Sequence, residues 1–443
     1  MDFYQVNLAI LVAANVSSFI YHHRSQIHKQ RRCGVPRDEQ SEAVATKFQR
    51  EFLFVYALVV AADWLQVCEN SFSLRPVLIL TRGTVQGPYT YAIYKYEKKL
   101  EEHTVALLYA SGFVSGAVSA PFAGQLADHY GRRAACVAYC ICYGITCLTM
   151  LSHNLYALYL GRFFGGIATT LLFSVFEAWM ITEYHLLQLD ESMVSLSQVF
   201  ANMTTTSTIT AIFSGIIGNA LVQWFDSRLG PFLASLVCCF GAGVLILVMW
   251  RENYGSVDKS KQTLGARKLK HRMLGALTNP KVMALNFASC CFEGPMYLFV
   301  FFWSAALKSV RVKSGNQDEL PFGLIFSSFM CAMMAGSRIT TIQDQLYSKD
   351  SALNTLMLVF AITSGGFAIS TILDHEYMLF WAFCVVEGCV GAYFPRMALM
   401  KSNIVDDYAR GGVYSALRLP LNVFVVVVHS LDRDGKNNSA WPV

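Results

Sequence analysis

Charged side chains are scarce in this chain of 443 residues, because Lys, Arg, Asp and Glu together make up only 15% of it. A soluble globular domain carries about a quarter of such residues, so the composition excludes an ordinary water-soluble fold. Hydrophobic residues make up 54% of the chain, and its mean hydropathy is +0.39. We therefore expect most of the chain to lie in a lipid bilayer.

Several signals of enzymes and cofactor sites are also missing. The 13 cysteines form no CxxC pair and lie mostly inside apolar runs, so we expect neither a metal site nor a disulfide framework. No nucleophile elbow, phosphate loop or hydrolytic carboxylate pair is present, which argues against an enzyme and against a bound cofactor. The net charge of +5 is carried by short loops between apolar runs, so we expect no nucleic-acid partner.

What the sequence does contain is a series of long apolar runs. A helix needs about 20 apolar residues to cross roughly 30 Å of hydrocarbon, and these runs approach that length. They predict an all-α, polytopic membrane protein with twelve spans. The runs lie near 3–21, 50–66, 104–126, 134–151, 155–180, 196–224, 230–250, 282–304, 321–340, 352–373, 377–398 and 411–430.

The loops predict how these spans are oriented. The first run, Phe3–Tyr21, follows Asp2 and has no positive leader, so we interpret it as an anchor helix rather than a cleaved signal peptide. The loops at 22–37 and 251–281 are basic, and basic loops stay in the cytoplasm. This arrangement places the N-terminus and the C-terminus outside the cell membrane.

The spans group into an anchor, a half of six and a half of five. Residues 67–86 interrupt the second run, and we interpret them either as an unspliced or alternatively spliced insertion or as a long outer loop. After His429 the chain turns polar where a sixth span of the second half is expected, so the last helix is predicted to be missing. The predicted domains are 1–47 (anchor and basic loop), 48–250 (first half), 251–281 (basic inter-half loop) and 282–443 (second half, truncated).

A charged turn lies between the second and third spans after the anchor, where residues 124–133 read GQLADHYGRR. Gly124 and Gly131 permit a tight turn and close helix approach. Asp128 is suited to a helix N-terminus, and the arginines anchor the loop inside. The pattern resembles the GxLaDrxGRR signature of the major facilitator superfamily, which implies two pseudo-symmetric helical halves. The candidate gate residues are Gly124, Asp128, Gly131, Arg132 and Arg133.

Other segments resemble one branch of that superfamily, the molybdate-anion transporter family. The resemblance covers most of the chain, including the anchor, and it implies uptake of molybdate, a small tetrahedral oxyanion. The segments that carry it are DFYQV, AADWLQ, GRFFGGIATTLLFSVFEAW, PFGLIFSSFM and ALRLPLNVFVVVVH.

Arginines embedded in spans are the candidate anion ligands. An ionisable residue in a span is costly and is a functional candidate by default, and the planar guanidinium can engage two oxygens at once. Arg162 and Arg418, one from each half, are therefore predicted to bind substrate. The alternative is that each forms an ion pair with Glu177, Glu387 or another embedded carboxylate.

Acidic and hydroxyl residues complete the candidate site. Asp63, Glu293 and Glu387 either carry protons that couple transport or act as gate partners of the arginines. Tyr89 and Tyr297 flank Gly-Pro pairs that are predicted to break their helices. Both tyrosines are candidate substrate ligands, with membrane-interface residues as the alternative.

Two further polar groups lie in the first half. Glu177 and Glu183 are predicted to form a charge network with Arg132 and Arg133 near the cytoplasmic end of the fourth span. The hydroxyls of residues 204–208 (TTTST) either line a polar cavity or bond to carbonyls of their own helix.

The residues favour a secondary transporter that works by alternating access, and the resemblance implies that its substrate is molybdate. The lipid bilayer is its other expected partner, and protons are a further candidate. A facilitator of another solute, such as a sugar or organic ion, is the first alternative. A membrane scaffold or sensor without transport activity is the second.

Overall fold

The structure is a computed structural model that describes residues 3–33, 39–67, 90, 93–189, 195–225, 227–254, 278–315, 320–346, 351–407 and 410–435. Its regular structure in these ranges is helical, with no strand, and a π-helical turn lies at Ile93–Glu97. The α-helices described are α1 (Phe3–Cys33), α2 (Glu39–Val67), α3 (Glu102–Tyr130), α4 (Arg132–Thr149), α5 (Leu155–Leu172), α6 (Val175–Leu186), α7 (Leu196–Phe225), α8 (Gly230–Met249), α9 (Pro280–Lys313), α10 (Phe322–Leu346), α11 (Ser351–Ser370), α12 (Glu376–Ile404) and α13 (Arg410–Gly435).

These helices confirm the predicted polytopic membrane fold. Each apolar run singled out in the sequence coincides with one of these helices, except that the run at 155–180 is divided between α5 and α6. Eight described segments are long and apolar enough to cross a membrane, and the bent helix α9 makes a ninth. Helices α2, α4 and α13 carry more charged or polar residues, and several of these residues form the candidate site.

The packing shows two pseudo-symmetric halves. In the first half the second helix, α3, packs on the fourth, α5; in the second half the corresponding α10 packs on α12. Across the halves, the second helix of each packs on the fifth helix of the other, which pairs α3 with α13 and α10 with α7. This reciprocal packing makes two seams between the halves.

The core of the first half extends into the second. It is built around a stack of aromatic rings in which the centroids of Trp179 and Trp250 lie 3.8 Å apart and Phe52 packs beside both. Val413 and Leu417 of α13 belong to the same buried cluster. Helix α13 is therefore held by apolar burial against the first half, and this contact positions its polar face.

Two helices add detail to the sequence-based prediction. The run at 155–180 lies in one candidate span, Leu155–Leu186, as predicted, but its regular helix is interrupted at Phe173 and Ser174 between α5 and α6. The Ser174 hydroxyl donates to the Thr170 carbonyl at 2.6 Å, a local bond that competes with the helix ladder. The break predicted at Gly294-Pro295 was wrong for that position, because α9 continues through both residues and bends by 52° between Val300 and Phe302.

The extra N-terminal helix packs on the second half, against α10. Asn15 donates through Nδ2 to the Cys331 carbonyl at 2.9 Å. At the N-terminal end of α1, Tyr4 bonds to Glu376, which Arg311 approaches at 3.3 Å. These buried polar contacts attach the helix to its neighbours more firmly than lipid-facing packing alone would.

Candidate functional site

A small cavity, open on one side, lies between the two halves. It combines basic, acidic and hydroxyl side chains with apolar ones. Several lining residues of one helix are four positions apart in the sequence, and such residues lie on the same face of a helix. Its walls are Phe173 and Glu177 from the α5–α6 segment, Ser289, Cys290 and Glu293 from α9, Lys401 from α12, and Tyr414, Leu417, Arg418 and Leu421 from α13.

Arg418 contacts residues of both halves. Its Nη2 donates to the hydroxyl of Tyr297 at 3.0 Å, and its guanidinium carbon lies 4.0 Å from the ring centroid of Phe173. Among the described residues no carboxylate lies within ion-pair distance of it. Arginine has five N–H donors, so a face of this guanidinium has donors to offer a ligand.

Helix α9 supplies a polar stripe with one member at every turn. Ser289, Glu293 and Tyr297 are spaced four residues apart, which places them on one face. Glu293 is 7% exposed and accepts a hydrogen bond from the Tyr393 hydroxyl at 2.9 Å. The structure thus brings together Arg418, Tyr297 and Glu293, three of the residues singled out in the sequence.

Two charged residues of the cavity were not predicted to belong to it. Glu177 lies in the first turn of α6, four residues after Phe173, and its Oε1 has no hydrogen-bond partner in the described chain. Lys401 approaches from α12 and has no ion-pair partner there either. The sequence signal for both was weak, because Glu177 was assigned to a network with Arg132 and Arg133, and Lys401 lies near the end of its apolar run.

The GQLADHYGRR turn forms a closed contact between the halves. Arg132 is 0% exposed and binds Asp128 at 2.8 Å and Asp407 at 3.2 Å. Asp128 also accepts the backbone N–H groups of Gly411 and Gly412, at 3.3 and 3.0 Å, in the first turn of α13. The predicted placement of Asp128 against a helix N-terminus is therefore what the structure shows.

Glycines allow this contact. A Cβ on Gly124 would lie 1.8 Å from the carbonyl oxygen of Gly411, so the backbones of α3 and α13 touch only because both positions lack a side chain. Gly131 has φ +120°, a conformation that L residues rarely adopt, and it makes the turn between α3 and α4.

Electrostatics holds Asp407 ionised in this contact. Burial raises the pKa of Asp407, but the guanidinium groups of Arg132 and Arg410 and the Thr182 hydroxyl lower it more, so that the pKa lies below its ordinary value. A lowered carboxyl pKa stabilises the folded state above the ordinary value, and the effect is lost as pH falls through the lowered one. The contact therefore persists at neutral pH.

The predicted network of Glu177 and Glu183 with the two arginines was wrong. Arg132 binds Asp128 and Asp407 instead, and Arg133 contacts Glu252, at 3.6 Å through Nε and 2.7 Å through its backbone N–H. The sequence could not identify these partners, because Asp407 and Glu252 lie more than a hundred residues away along the chain.

Arg162 lies apart from the cavity. Its Nε donates to the Tyr94 hydroxyl at 2.8 Å, and its guanidinium lies over the rings of Tyr94 and Tyr109 at 5.4 and 5.8 Å. It precedes Phe173 by eleven residues, a rise of roughly 16 Å along a helix. Arg162 and Arg418 are thus not brought together, and neither forms an ion pair with Glu177 or Glu387 within the described ranges.

The two remaining candidates do not line the cavity. Asp63 accepts the Tyr143 hydroxyl at 2.7 Å and interacts electrostatically with Arg418. Glu387 is 7% exposed, with no cation within ion-pair distance among the residues described. Tyr89 and the Gly-Pro pair before it lie outside the described residues.

The threonine-rich run of α7 is satisfied locally. Thr204, Thr205 and Thr208 donate to carbonyls of their own helix, as the second interpretation expected. In the described part, no cluster of His, Cys, Asp and Glu suits a metal ion.

Comparisons with known proteins agree with this architecture. Residues 68–379 match a family model described as sugar transporters, 12 TM. The chain is 30% identical over 407 residues to a molybdate-anion transporter of Takifugu rubripes, covering 85% of this chain and 78% of the relative. It is 29% identical over 402 residues to one of Xenopus tropicalis, covering 87% and 80%.

Solved structures share the fold. The human organic anion transporter MFSD10 (TETRAN) superposes with a TM-score of 0.60 at 13% identity, covering 86% of this chain and 93% of that one. XylE, a proton:xylose symporter of the major facilitator superfamily, gives 0.58 at 12% identity, covering 88% and 90%. At these identities the likeness concerns the arrangement of helices alone.

Proposed function

This chain belongs to the major facilitator superfamily, and on that premise we propose that it carries a small oxyanion, molybdate first among the candidates, across the cell membrane by alternating access. The relatives named molybdate-anion transporters support the substrate. The topology predicted from the basic loops, with both chain ends outside, belongs to the same proposal.

The observation that carries the proposal is Arg418 in the inter-half cavity. A tetrahedral oxyanion offers oxygen acceptors and no donors, so its site needs cations and N–H or O–H groups. Arg418 and Lys401 supply positive charge without an ion-pair partner among the described residues, and Ser289, Tyr297 and Tyr414 supply hydroxyls. Buried charge-assisted hydrogen bonds are the strong ones.

The gate geometry supports alternating access. The Asp128–Arg132–Asp407 contact closes one end of the α3–α13 seam, and the cavity lies between the same halves. Transport through such a cavity requires that this contact opens while another closes. An ion-pair cluster with a discrete bonded arrangement suits such a two-state element.

The test is uptake of radiolabelled molybdate by the full chain reconstituted in liposomes, comparing wild type with Arg418→Gln and Arg162→Gln. Losing hydrogen bonds to a charged group costs about 1.5–3 kcal/mol, so Arg418→Gln is expected to weaken half-saturation roughly 10- to 100-fold. Arg162→Gln, whose guanidinium contacts tyrosines outside the cavity, is expected to change it less.

Sugar transport is the second candidate, because the matching family is described as sugar transporters and the cavity carries the carboxylates Glu177 and Glu293. Carboxylates accept hydrogen bonds from hydroxyl groups, which an oxyanion lacks. Unlabelled xylose, glucose and sulfate added as competitors distinguish the two. Competition by sugars alone rejects the oxyanion proposal, and absence of any flux favours the scaffold or sensor alternative.

A further inference from the structure

We propose that Glu177 binds a proton before the cavity accepts an oxyanion, so that proton and anion cross the membrane together. This inference rests on the proposed function, because it concerns the same cavity. It differs from the sequence-based prediction, which assigned proton coupling to Asp63, Glu293 or Glu387.

The first support is an unpartnered carboxyl oxygen. Oε1 of Glu177 is buried and has no hydrogen-bond partner among the described residues. An ionised carboxylate that is buried without donors carries a large desolvation cost. A neutral carboxyl avoids that cost and has an O–H to donate. The unpaired oxygen therefore fits a group that is protonated when the cavity is occupied.

The second support is the surrounding cavity wall. Ser289 and Tyr414 are 5% and 3% exposed and line the same cavity. Ser289 neighbours Tyr393 and Tyr414 neighbours Arg410, although neither hydroxyl meets strict hydrogen-bond geometry with its neighbour. Two hydroxyl groups and a carboxyl therefore border one space, and a ligand rich in acceptors can accept hydrogen bonds from all three.

The charges around the cavity favour the protonated form of Glu177. Glu177 is approached by Lys401 from α12, Arg410 and Tyr414 from α13, Glu293 from α9 and Tyr56 from α2. Arg410 is bound to Asp407 at 2.7 Å, so Lys401 and Arg418 are the cations that remain for a ligand. If Glu177 and Glu293 were both ionised, their two negative charges would cancel the positive charges of the two cations. A dianion would then face no net attraction from these four groups.

Glu177 suits the proton better than Glu293. The Tyr393 hydroxyl donates to Glu293, and such a bond favours the ionised carboxylate. Glu177 has no such donor on Oε1 but lies in the first turn of α6, whose backbone N–H groups favour a negative charge. That position helps the carboxyl release its proton once the anion has left and water enters.

The cycle returns Glu177 to its starting state and carries one proton with each dianion, so a net charge of −1 crosses the membrane. A proton from the side to which the cavity is open forms an O–H bond with the Glu177 carboxylate, and the neutral carboxyl donates that O–H to one oxygen of the anion. After the halves exchange access, the anion leaves and the O–H bond breaks, releasing the proton on the opposite side. No electron transfer is involved.

The experiment uses liposomes that contain the full chain and a trapped pH-sensitive dye, with molybdate added outside. We expect wild type to acidify the interior as molybdate enters. Uptake should speed up on lowering external pH, by up to about tenfold per pH unit, the limit for one titrating group. Glu177→Gln is expected to retain molybdate exchange between the two sides but to lose acidification and pH dependence.

Glu183→Gln is the matched control, because Glu183 lies on the same helix but bonds to Asn253 and is approached by Arg251. It should keep wild-type acidification. Molybdate uptake by wild type without acidification, or undiminished acidification by Glu177→Gln, overturns the inference. Absence of molybdate uptake by wild type overturns the proposed function instead. Should Glu177→Gln fail to fold, Glu177→Asp must retain acidification with a displaced pH profile, and an unchanged profile counts against the inference.

Discussion

The contact at Arg132 and the cavity at Arg418 lie on the same seam, yet the two guanidinium groups have opposite environments. Arg132 is fully buried and meets two carboxylates, whereas Arg418 meets an aromatic ring and a hydroxyl. A charge whose counter-charges come from the protein holds the halves together. A charge without an ion-pair partner among the described residues can bind a ligand. This difference is the basis for proposing a gate at Arg132 and a binding site at Arg418.

The largest expected effect is on the free energy of unfolding, and it comes from breaking the ion pairs of Arg132. Arg132→Ala leaves Asp128 and Asp407 buried without their cation, and removing one partner of a buried ion pair costs about 3–5 kcal/mol. We expect the free energy of unfolding in detergent to fall by that amount, measured by thermal or chemical denaturation. Arg133→Ala is the control, because its pair with Glu252 is partly exposed and such pairs contribute about 0–1 kcal/mol. Equal losses in the two variants would refute the distinction.

A smaller effect is expected from separating the backbones at the gate. Gly124→Val places a side chain where the Gly411 carbonyl lies, and overpacking of this kind costs typically about 1–3 kcal/mol. The gate should close incompletely, so cysteines introduced on α3 and α13 near the contact should cross-link less efficiently. Gly365→Val is the control, since nothing lies within 4 Å of a Cβ at Gly365. Unchanged cross-linking in the Gly124 variant would contradict the close approach.

The smallest expected effect is on half-saturation for molybdate, and it tests one hydrogen bond at the cavity. Tyr297→Phe removes the hydroxyl that Arg418 binds but leaves both the ring and the guanidinium in place. One intramolecular hydrogen bond contributes about 0.5–1.5 kcal/mol, so half-saturation for molybdate should weaken by about twofold to tenfold. Tyr377→Phe, at a 55% exposed residue stacked on Phe3, should leave it unchanged. If Tyr377→Phe weakened half-saturation for molybdate more than Tyr297→Phe did, the assignment of Tyr297 to the binding site would be wrong.

The gate was predictable because its signal is local. All of its residues lie in the short segment 124–133 of the sequence. The spacing of four residues brings Asp128 and Arg132 onto one face. Their partner Asp407 was missed for the opposite reason. It precedes α13 by a few residues, and no local pattern links that position to the turn after α3.

The cavity was predictable only in part. Embedded charge identified Arg418 and Glu293, because lipid makes such residues costly unless they serve a purpose. The same rule also selected Arg162 and Glu387, which lie away from the cavity, and Asp63, which interacts electrostatically with Arg418 but does not line the cavity. Embedded charge predicts that a side chain avoids lipid, but not which neighbour it meets.

The sequence by itself determined the approximate positions of the long helices, the membrane environment and the gate turn, because hydrophobic runs and short-range spacing are written along the chain. Only the tertiary structure decided that Arg418 and Arg162 lie in different places, and that Glu177 and Lys401 share the cavity with Arg418 and Glu293. The physical reason is that these neighbours come from α6, α9, α12 and α13. Their contact depends on how two halves pack, and packing between distant helices leaves no periodic trace in either one.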